Sequence, residues 1–223
     1  MPIVIFDFDG TLADSFASVM NIAYRLTKND QLADLKAVEG YRNEGWSLAD
    51  AIKSLGIPKW RLPLMLNRGR RMMIDDMSKI NLFSGIEELL ETLRREQYVM
   101  YIISSNSRGN IKRFLVSKGI KHYFRQVYGS AGLYDKSKLI KKVLRDHGLN
   151  GSSVLYVGDE VRDIVAARKV NIPCVVVSWG YNSEQLLRKN NPMYLAQTPL
   201  QLQDLLIKWG QRSKSLMVET KAS

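Results

Sequence analysis

A single cysteine, Cys174, leaves no partner for an internal disulfide. That suits a reducing compartment, and its setting in the apolar run from Ile172 to Val177 reads as a buried, inert thiol. No apolar run approaches the roughly 18 residues needed to span a bilayer. Met1 leads into an apolar stretch with neither a basic leader nor a small-residue cleavage site before it. Membrane insertion and secretion are therefore not expected, and the reading is cytoplasmic. Internal repeats and low-complexity segments are absent as well. Acidic residues are scarce from Ser104 to Arg145, where eleven Lys or Arg face Asp135 alone, so this stretch holds ten of the eleven excess positive charges of the chain. Solvated helix faces are the ordinary explanation. The sharper one is a positive field that draws anionic ligands, with nucleic acid a less favoured partner.

What is present is a soluble globular composition: 223 residues with 45% hydrophobic content suffice for one large domain or one domain carrying an insert. Ile3-Val4-Ile5-Phe6 is a short β-branched run that predicts a buried parallel strand, and it ends in Asp7-Phe8-Asp9-Gly10-Thr11. Gly10 and Thr11 predict a turn that swings the second carboxylate away from the first. Two acids at the end of an apolar strand repel each other and lose water, and a divalent cation offsets that cost most simply.

Further apolar strands are predicted at Tyr98 to Ile103, around Gln126 to Tyr128, at Ser153 to Gly158 and at Pro173 to Val177. Helical patterns separate them: Ile86 to Leu93, opened by a Ser84/Glu87 capping box, then Asn110 to Lys118 with Gly119 as C-cap, Asp135 to His147, and Glu160 to Lys169. Alternation of this kind gives an α/β fold with a doubly wound, Rossmann-like parallel sheet. Residues 15–80 contain no convincing strand and read as several short helices, an all-helical block inserted after the first strand. The expected organisation is an α/β core over 1–14 and 81–210, a helical cap domain over 15–80, and a flexible tail over 211–223. In such a sheet the C-terminal strand ends share one edge, where ligands bind, and Asp7, Asp9, Ser104 and Asp159 all fall there.

Asp7-Phe8-Asp9-Gly10-Thr11 resembles the D-x-D-G-T opening motif of the haloacid dehalogenase-like (HAD) hydrolase superfamily. Three further motifs follow in order: a hydrophobic strand ending in Ser104, a lysine at the start of the helix after the third strand (Lys136), and Gly158-Asp159-Glu160-Val161-Arg162-Asp163, which is similar to G-D-x-x-x-D. The resemblance covers roughly residues 1 to 180. Ser178-Trp179-Gly180-Tyr181 is also similar to the loop after the fifth strand in phosphoglycolate phosphatase-like members.

The resemblance implies a magnesium-dependent phosphatase acting on a small anionic phosphorylated metabolite through an aspartyl-phosphate. Asp7 would be the nucleophile, and Asp9 the acid that protonates the leaving group and then the base that activates water. Lys136, preferred over Lys138, would neutralise charge on phosphorus, with Asp135 capping its helix. Ser104, Ser105 and Thr11 would contact the phosphate, with Asn106 in a supporting position. Mg2+ would be held by Asp7, the backbone carbonyl of Asp9 and Asp159, while Asp163 would act through water or by holding Lys136. A helix N-terminal role is expected for Glu160. A dehalogenase is disfavoured because that chemistry lacks the second aspartate. A sugar phosphomutase and a nucleic-acid 3′-phosphatase are alternatives on the same core, and a non-catalytic scaffold is the distant one. In the cap, Arg25, Arg42, Lys53, Arg61, Arg68, Arg70, Arg71, Trp46 and Trp60 stay unassigned between substrate contact and ordinary surface or core.

Overall fold

The computed structural model describes residues 1–27, 62–129 and 136–219. Six strands form one parallel sheet: β1 (Ile3–Phe6), β4 (Val99–Ile103), β5 (Phe124–Tyr128), β6 (Val154–Gly158), β7 (Cys174–Val177) and β8 (Tyr194–Ala196), in the order β5-β4-β1-β6-β7-β8. Along each strand alternate side chains enter opposite layers, as the two-residue period requires. Val4, Phe6, Met100, Ile102, Leu155, Val157, Val175 and Val177 pack into one apolar layer. Ile3, Ile5, Tyr101, Ile103, Val154, Tyr156, Cys174 and Val176 pack into the other. Strands buried on both faces explain why the sequence reads there as unbroken apolar runs rather than as an alternation.

Helices cover both layers. The first is closed by α3 (Ile86–Arg95), α4 (Arg108–Ser117) and α8 (Pro199–Glu219), through Leu89, Leu90, Leu93, Phe114, Leu115, Leu202 and Leu206. The second is closed by α5 (Lys136–Asp146), α6 (Val161–Arg168) and α7 (Glu184–Lys189), through Ile140, Val143, Ile164, Ala167 and Leu187. The chain runs from β1 outward to β4 and β5, then returns to β6 on the other side of β1. The reversal lies between β1 and β6, the position at which open α/β sheets bind ligands.

Between β1 and α3 the described residues form α1 (Phe16–Thr27) and α2 (Leu62–Asp76), which pack on each other through Ile22, Leu26 and Met73. A short antiparallel ribbon, β2 (Ala13–Asp14) with β3 (Asn81–Leu82), pairs Ala13 with Leu82 and Asp14 with Asn81, so both ends of the 15–80 block leave the core side by side. Arg42, Trp46, Lys53, Trp60, Arg61 and Asp135 lie outside the described residues; Arg25, Arg68 and Arg71 are exposed.

Three details differ from the sequence expectation. Strand β8 completes the sheet beyond the predicted five, and its three residues are too short to register as a periodic run. Gly85, at φ 87°, is the N-cap of α3, and no side chain caps that end, so the Ser84/Glu87 box does not form. The backbone from Gln211 to Glu219 continues α8 where a tail was expected. Gly119 ends the helix as a glycine with φ 72°, although the C-cap itself is Lys118 and Gly119 follows it.

Candidate active site

Asp7 stands one residue beyond β1, where its N–H donates to the Val157 carbonyl at 2.8 Å and so ties it to β6. The chain then turns sharply. The N–H groups of Leu12 and Ala13 both donate to the Phe8 carbonyl at 3.0 Å, and Gly10 sits at φ 79°. Glycine is required on two counts, since that dihedral disfavours a side chain and a Cβ would collide with the Asp159 carboxylate and Tyr181. Phe8 anchors the turn from below, edge-on to Phe114 with ring centroids 5.0 Å apart. The result is two aspartates aimed in different directions.

The Asp7 carboxylate is 1% exposed and is paired with the Lys136 ammonium, which also contacts Asp163 Oδ1 at 2.6 Å. Asp163 is saturated with donors: Tyr156 hydroxyl at 3.2 Å on one oxygen, and the backbone N–H groups of Asp159 at 3.2 Å and Glu160 at 3.1 Å on the other. Of the eleven basic residues between Ser104 and Arg145, Lys136 alone is buried, and Lys138 is exposed. Burial works against the charge of Lys136, but the Asp163 and Asp7 carboxylates outweigh it and hold its pKa above the ordinary value.

The Asp9 carboxylate turns the other way. It accepts from Ser104 Oγ at 3.3 Å, from Asn106 Nδ2 at 3.3 and 3.4 Å, and from the Ser15 side chain. Burial raises its pKa, and those hydrogen bonds pull it partly back. Asn106 is in turn held by Asn110, whose Nδ2 donates to Asn106 Oδ1 at 3.1 Å and to the Arg70 carbonyl of α2 at 2.8 Å. Ser15, at the start of α1, shares a hydrogen bond of 3.0 Å with the Tyr181 hydroxyl. Asp9 is thus tethered from both α1 and α2. Neither Asn110, Ser15 nor Tyr181 was singled out from sequence for this role, and nothing in their spacing announces it.

Asp159 follows β6 and is fully buried. It accepts from the Thr11 hydroxyl at 2.8 Å and from the Tyr181 N–H at 2.7 Å. Thr11, expected at the phosphate, therefore spends its only hydroxyl hydrogen on a carboxylate and is 0% exposed. Ser105 is half-buried near Arg162, whose Nη2 lies 3.5 Å from its Oγ. Glu160 is the N-cap of α6, as expected of a helix N-terminal residue, and pairs with Arg162.

Asp7, Asp159 and Asp163 each bring one carboxylate oxygen to within 4.8 Å of the others. Burial pushes the Asp7 carboxyl up to about 7 and that of Asp159 well above its usual range, with neighbouring acids adding to the rise at Asp159. Buried carboxylates that resist ionisation in this way are a donor set for a hard divalent cation, which would restore their charge. Because Asp163 has its oxygens filled, Asp7 and Asp159 are the two with capacity to spare. Asp9, expected at the metal through its carbonyl, has its side chain outside this cluster.

The Haloacid dehalogenase-like hydrolase family model matches residues 4–177. The chain is 34% identical over 202 residues to a phosphoglycolate phosphatase of Synechococcus elongatus, covering 91% of this chain and 95% of that protein. It is 26% identical over 199 residues to a 5'-nucleotidase of Pseudomonas aeruginosa, covering 86% and 90%. Among solved structures, a protein described as a predicted phosphatase from Clostridium acetobutylicum superposes with a TM-score of 0.81 at 22% identity, covering 93% of this chain and 98% of that one, a likeness of fold.

Proposed function

The chain belongs to the haloacid dehalogenase-like hydrolase family and is a phosphomonoester hydrolase, and from that premise we propose that it acts in the cytoplasm on a small phosphorylated acid of the phosphoglycolate type, with Mg2+. One observation carries the assignment of roles. Asp7 is gripped by a buried lysine at the switch point of the sheet, while Asp9, two residues on, is held by Ser104, Asn106 and Ser15 on the opposite side of the turn. Two carboxylates with separate environments can take separate tasks.

In the first half-reaction an Asp7 oxygen bonds to phosphorus and the ester P–O bond breaks, the departing alkoxide taking a proton from Asp9. In the second, Asp9 takes a proton from water as that oxygen bonds to phosphorus, the Asp7 acyl-phosphate P–O bond breaks, and inorganic phosphate leaves. Lys136 neutralises charge at the nucleophile throughout and is itself fixed by Asp163. The backbone N–H of Ser105 holds a phosphoryl oxygen, and the Ser104 hydroxyl, which donates to Asp9 at 3.3 Å, turns from that carboxylate to hold another. Mg2+, held by Asp7, the Asp9 carbonyl and Asp159, would supply positive charge against the phosphoryl oxygens. We read the segment 15–80, of which 28–61 lie outside the described residues, as a cap domain inserted at this edge, a reading supported by the ribbon that gathers its two ends and by the Asn110 contact to Arg70.

The phosphoglycolate phosphatase similarity over nearly the whole chain supports the substrate class. No helix among the described residues is long and apolar enough to cross a membrane, and Cys174 is buried and free. Phosphate release from a panel of phosphorylated metabolites, with and without Mg2+, tests the proposal. It expects metal-dependent release led by phosphoglycolate, and interconversion of hexose phosphates without release contradicts it.

A further inference from the structure

Arg162 has no part in the scheme above, yet it occupies a place that surface arginines do not. It is the second residue of α6, and its backbone origin is fixed because the Val161 N–H donates to Asn182 Oδ1 at 2.9 Å. Its Nε donates to Glu160 Oε1 at 2.8 Å and its Nη2 contacts the same oxygen. Glu160 is closed off from solvent, its side chain 3% exposed against 22% for the arginine. Glu160 therefore acts as an internal counter-ion, and the guanidinium is the less buried member of the pair. The remaining nitrogen, Nη1, is buried and has no hydrogen-bond partner among the described residues.

The direction of the side chain follows from the sheet. Strands β4 and β6 flank β1, so Ser105 after β4 and Arg162 after β6 stand on either side of Asp7. Arg162 Nη2 reaches to 3.5 Å from Ser105 Oγ across that gap. Its charge is felt at the centre, where it helps lower the Asp7 pKa against the larger effect of burial. Burial opposes its own charge too, but Glu160, Asp7 and Asp163 together keep its pKa above the usual arginine value. Five buried carboxylates, Asp7, Asp9, Asp159, Glu160 and Asp163, crowd this edge against the cations of Lys136 and Arg162. A phosphoryl group adding more negative charge there requires every cation available. A buried N–H without an acceptor costs free energy that a bound oxyanion returns, and a planar guanidinium suits phosphoryl oxygens.

We propose that Arg162 binds substrate, offering Nη1 to a phosphoryl oxygen above Asp7 while Glu160 holds the rest of the guanidinium. This rests on the phosphatase reading and adds to it a second protein cation beside Lys136.

The test compares wild type, Arg162→Met and Arg162→Lys in three measurements: KM and kcat with p-nitrophenyl phosphate, the same with phosphoglycolate, and calorimetric Kd for inorganic phosphate in the presence of Mg2+. Arg162→Met raises KM for both substrates and Kd for phosphate by about ten- to hundredfold, with the smaller loss in kcat, and Arg162→Lys restores part of each. Unchanged KM and Kd beside a lowered Tm reduce Arg162 to a structural counter-ion and overturn the proposal. A KM rise confined to phosphoglycolate also overturns it, because the contact is then to the carboxylate. If wild type hydrolyses no phosphomonoester, that failure belongs to the phosphatase reading. The phosphate-binding arm requires no turnover and still decides the role of Arg162. Should Arg162→Met not fold, the same Kd measured on Arg162→Lys decides, a value equal to wild type counting against the contact.

Discussion

Lys136 Nζ lies 2.6 Å from Asp163 Oδ1 while the same ammonium pairs with Asp7, so the lysine's position at the nucleophile is set by a residue on α6. Removing one member of a buried pair strands the other, at a cost of about 3–5 kcal/mol. Lys136→Met is therefore expected to lower kcat by about a hundredfold or more and to lower Tm. Asp163→Asn keeps the size but removes the charge and sets an amide NH2 against donors that a carboxylate oxygen accepts, and should reduce kcat with KM little changed. Steady-state kinetics beside thermal melts separate the two effects.

Asp9 supplies a proton whose value depends on the leaving group. Asp9→Asn should cost about 100- to 10,000-fold in kcat with an alkyl phosphate such as phosphoglycolate, and far less with p-nitrophenyl phosphate, whose leaving group departs without help. Equal losses on both substrates would remove Asp9 from the acid role.

Metal binding should release protons. Burial holds the Asp7 carboxyl at about 7, so Asp7 is partly protonated near neutrality until a cation binds, and burial and neighbouring acids raise that of Asp159 as well. Affinity for Mg2+ should fall as pH drops below about 7, and calorimetry in two buffers of different ionisation enthalpy should count net proton release. A pH-independent affinity between pH 5 and 7 would contradict the assignment.

Glu91 provides a check on stability remote from the site. Its hydrogen bonds from Arg94 and Arg95 on α3 and from Tyr123 hold its pKa at about 2, below the ordinary 4.5. A folded-state pKa below the unfolded one means the stabilisation is present above about 4.5 and is lost as pH falls toward about 2. Glu91→Gln should lower Tm slightly at pH 7, because the pairs are surface pairs, and the difference should vanish in thermal melts near pH 2.

Much of this was legible in the chain, for a physical reason. The ends of β1, β4 and β6 are marked by apolar runs stopping at Asp7, Ser104 and Asp159, and a parallel sheet brings such ends together whatever else it does. Direction is what the string of residues does not carry. Thr11 offers a hydroxyl that fits phosphate or carboxylate equally well, and only the turn built on Gly10 aims it at Asp159. Glu160 and Arg162 stand two apart, a spacing that does not face within a helix. They meet because Glu160 lies just outside α6 in an extended conformation. Tyr181 and Asn110 reach the site from loops and helices far along the chain. β8 escaped because three residues hold no measurable period.

Gly180 also shapes the site without contributing a side chain, since a Cβ there would collide with the Asp159 carboxylate. Gly180→Ala should displace Asp159, weakening Mg2+ binding by calorimetry and costing about 1–3 kcal/mol of stability from overpacking. Unaltered metal affinity would show that Asp159 is not a ligand.

The identity of Asp7 as nucleophile is tested most directly by rapid acid quench of the enzyme turning over phosphate-labelled substrate, followed by peptide mapping. A label that is lost on treatment with hydroxylamine, maps to Asp7 and is absent from Asp7→Asn is the predicted result. Turnover without any protein-bound label, or a label on another residue, would contradict it.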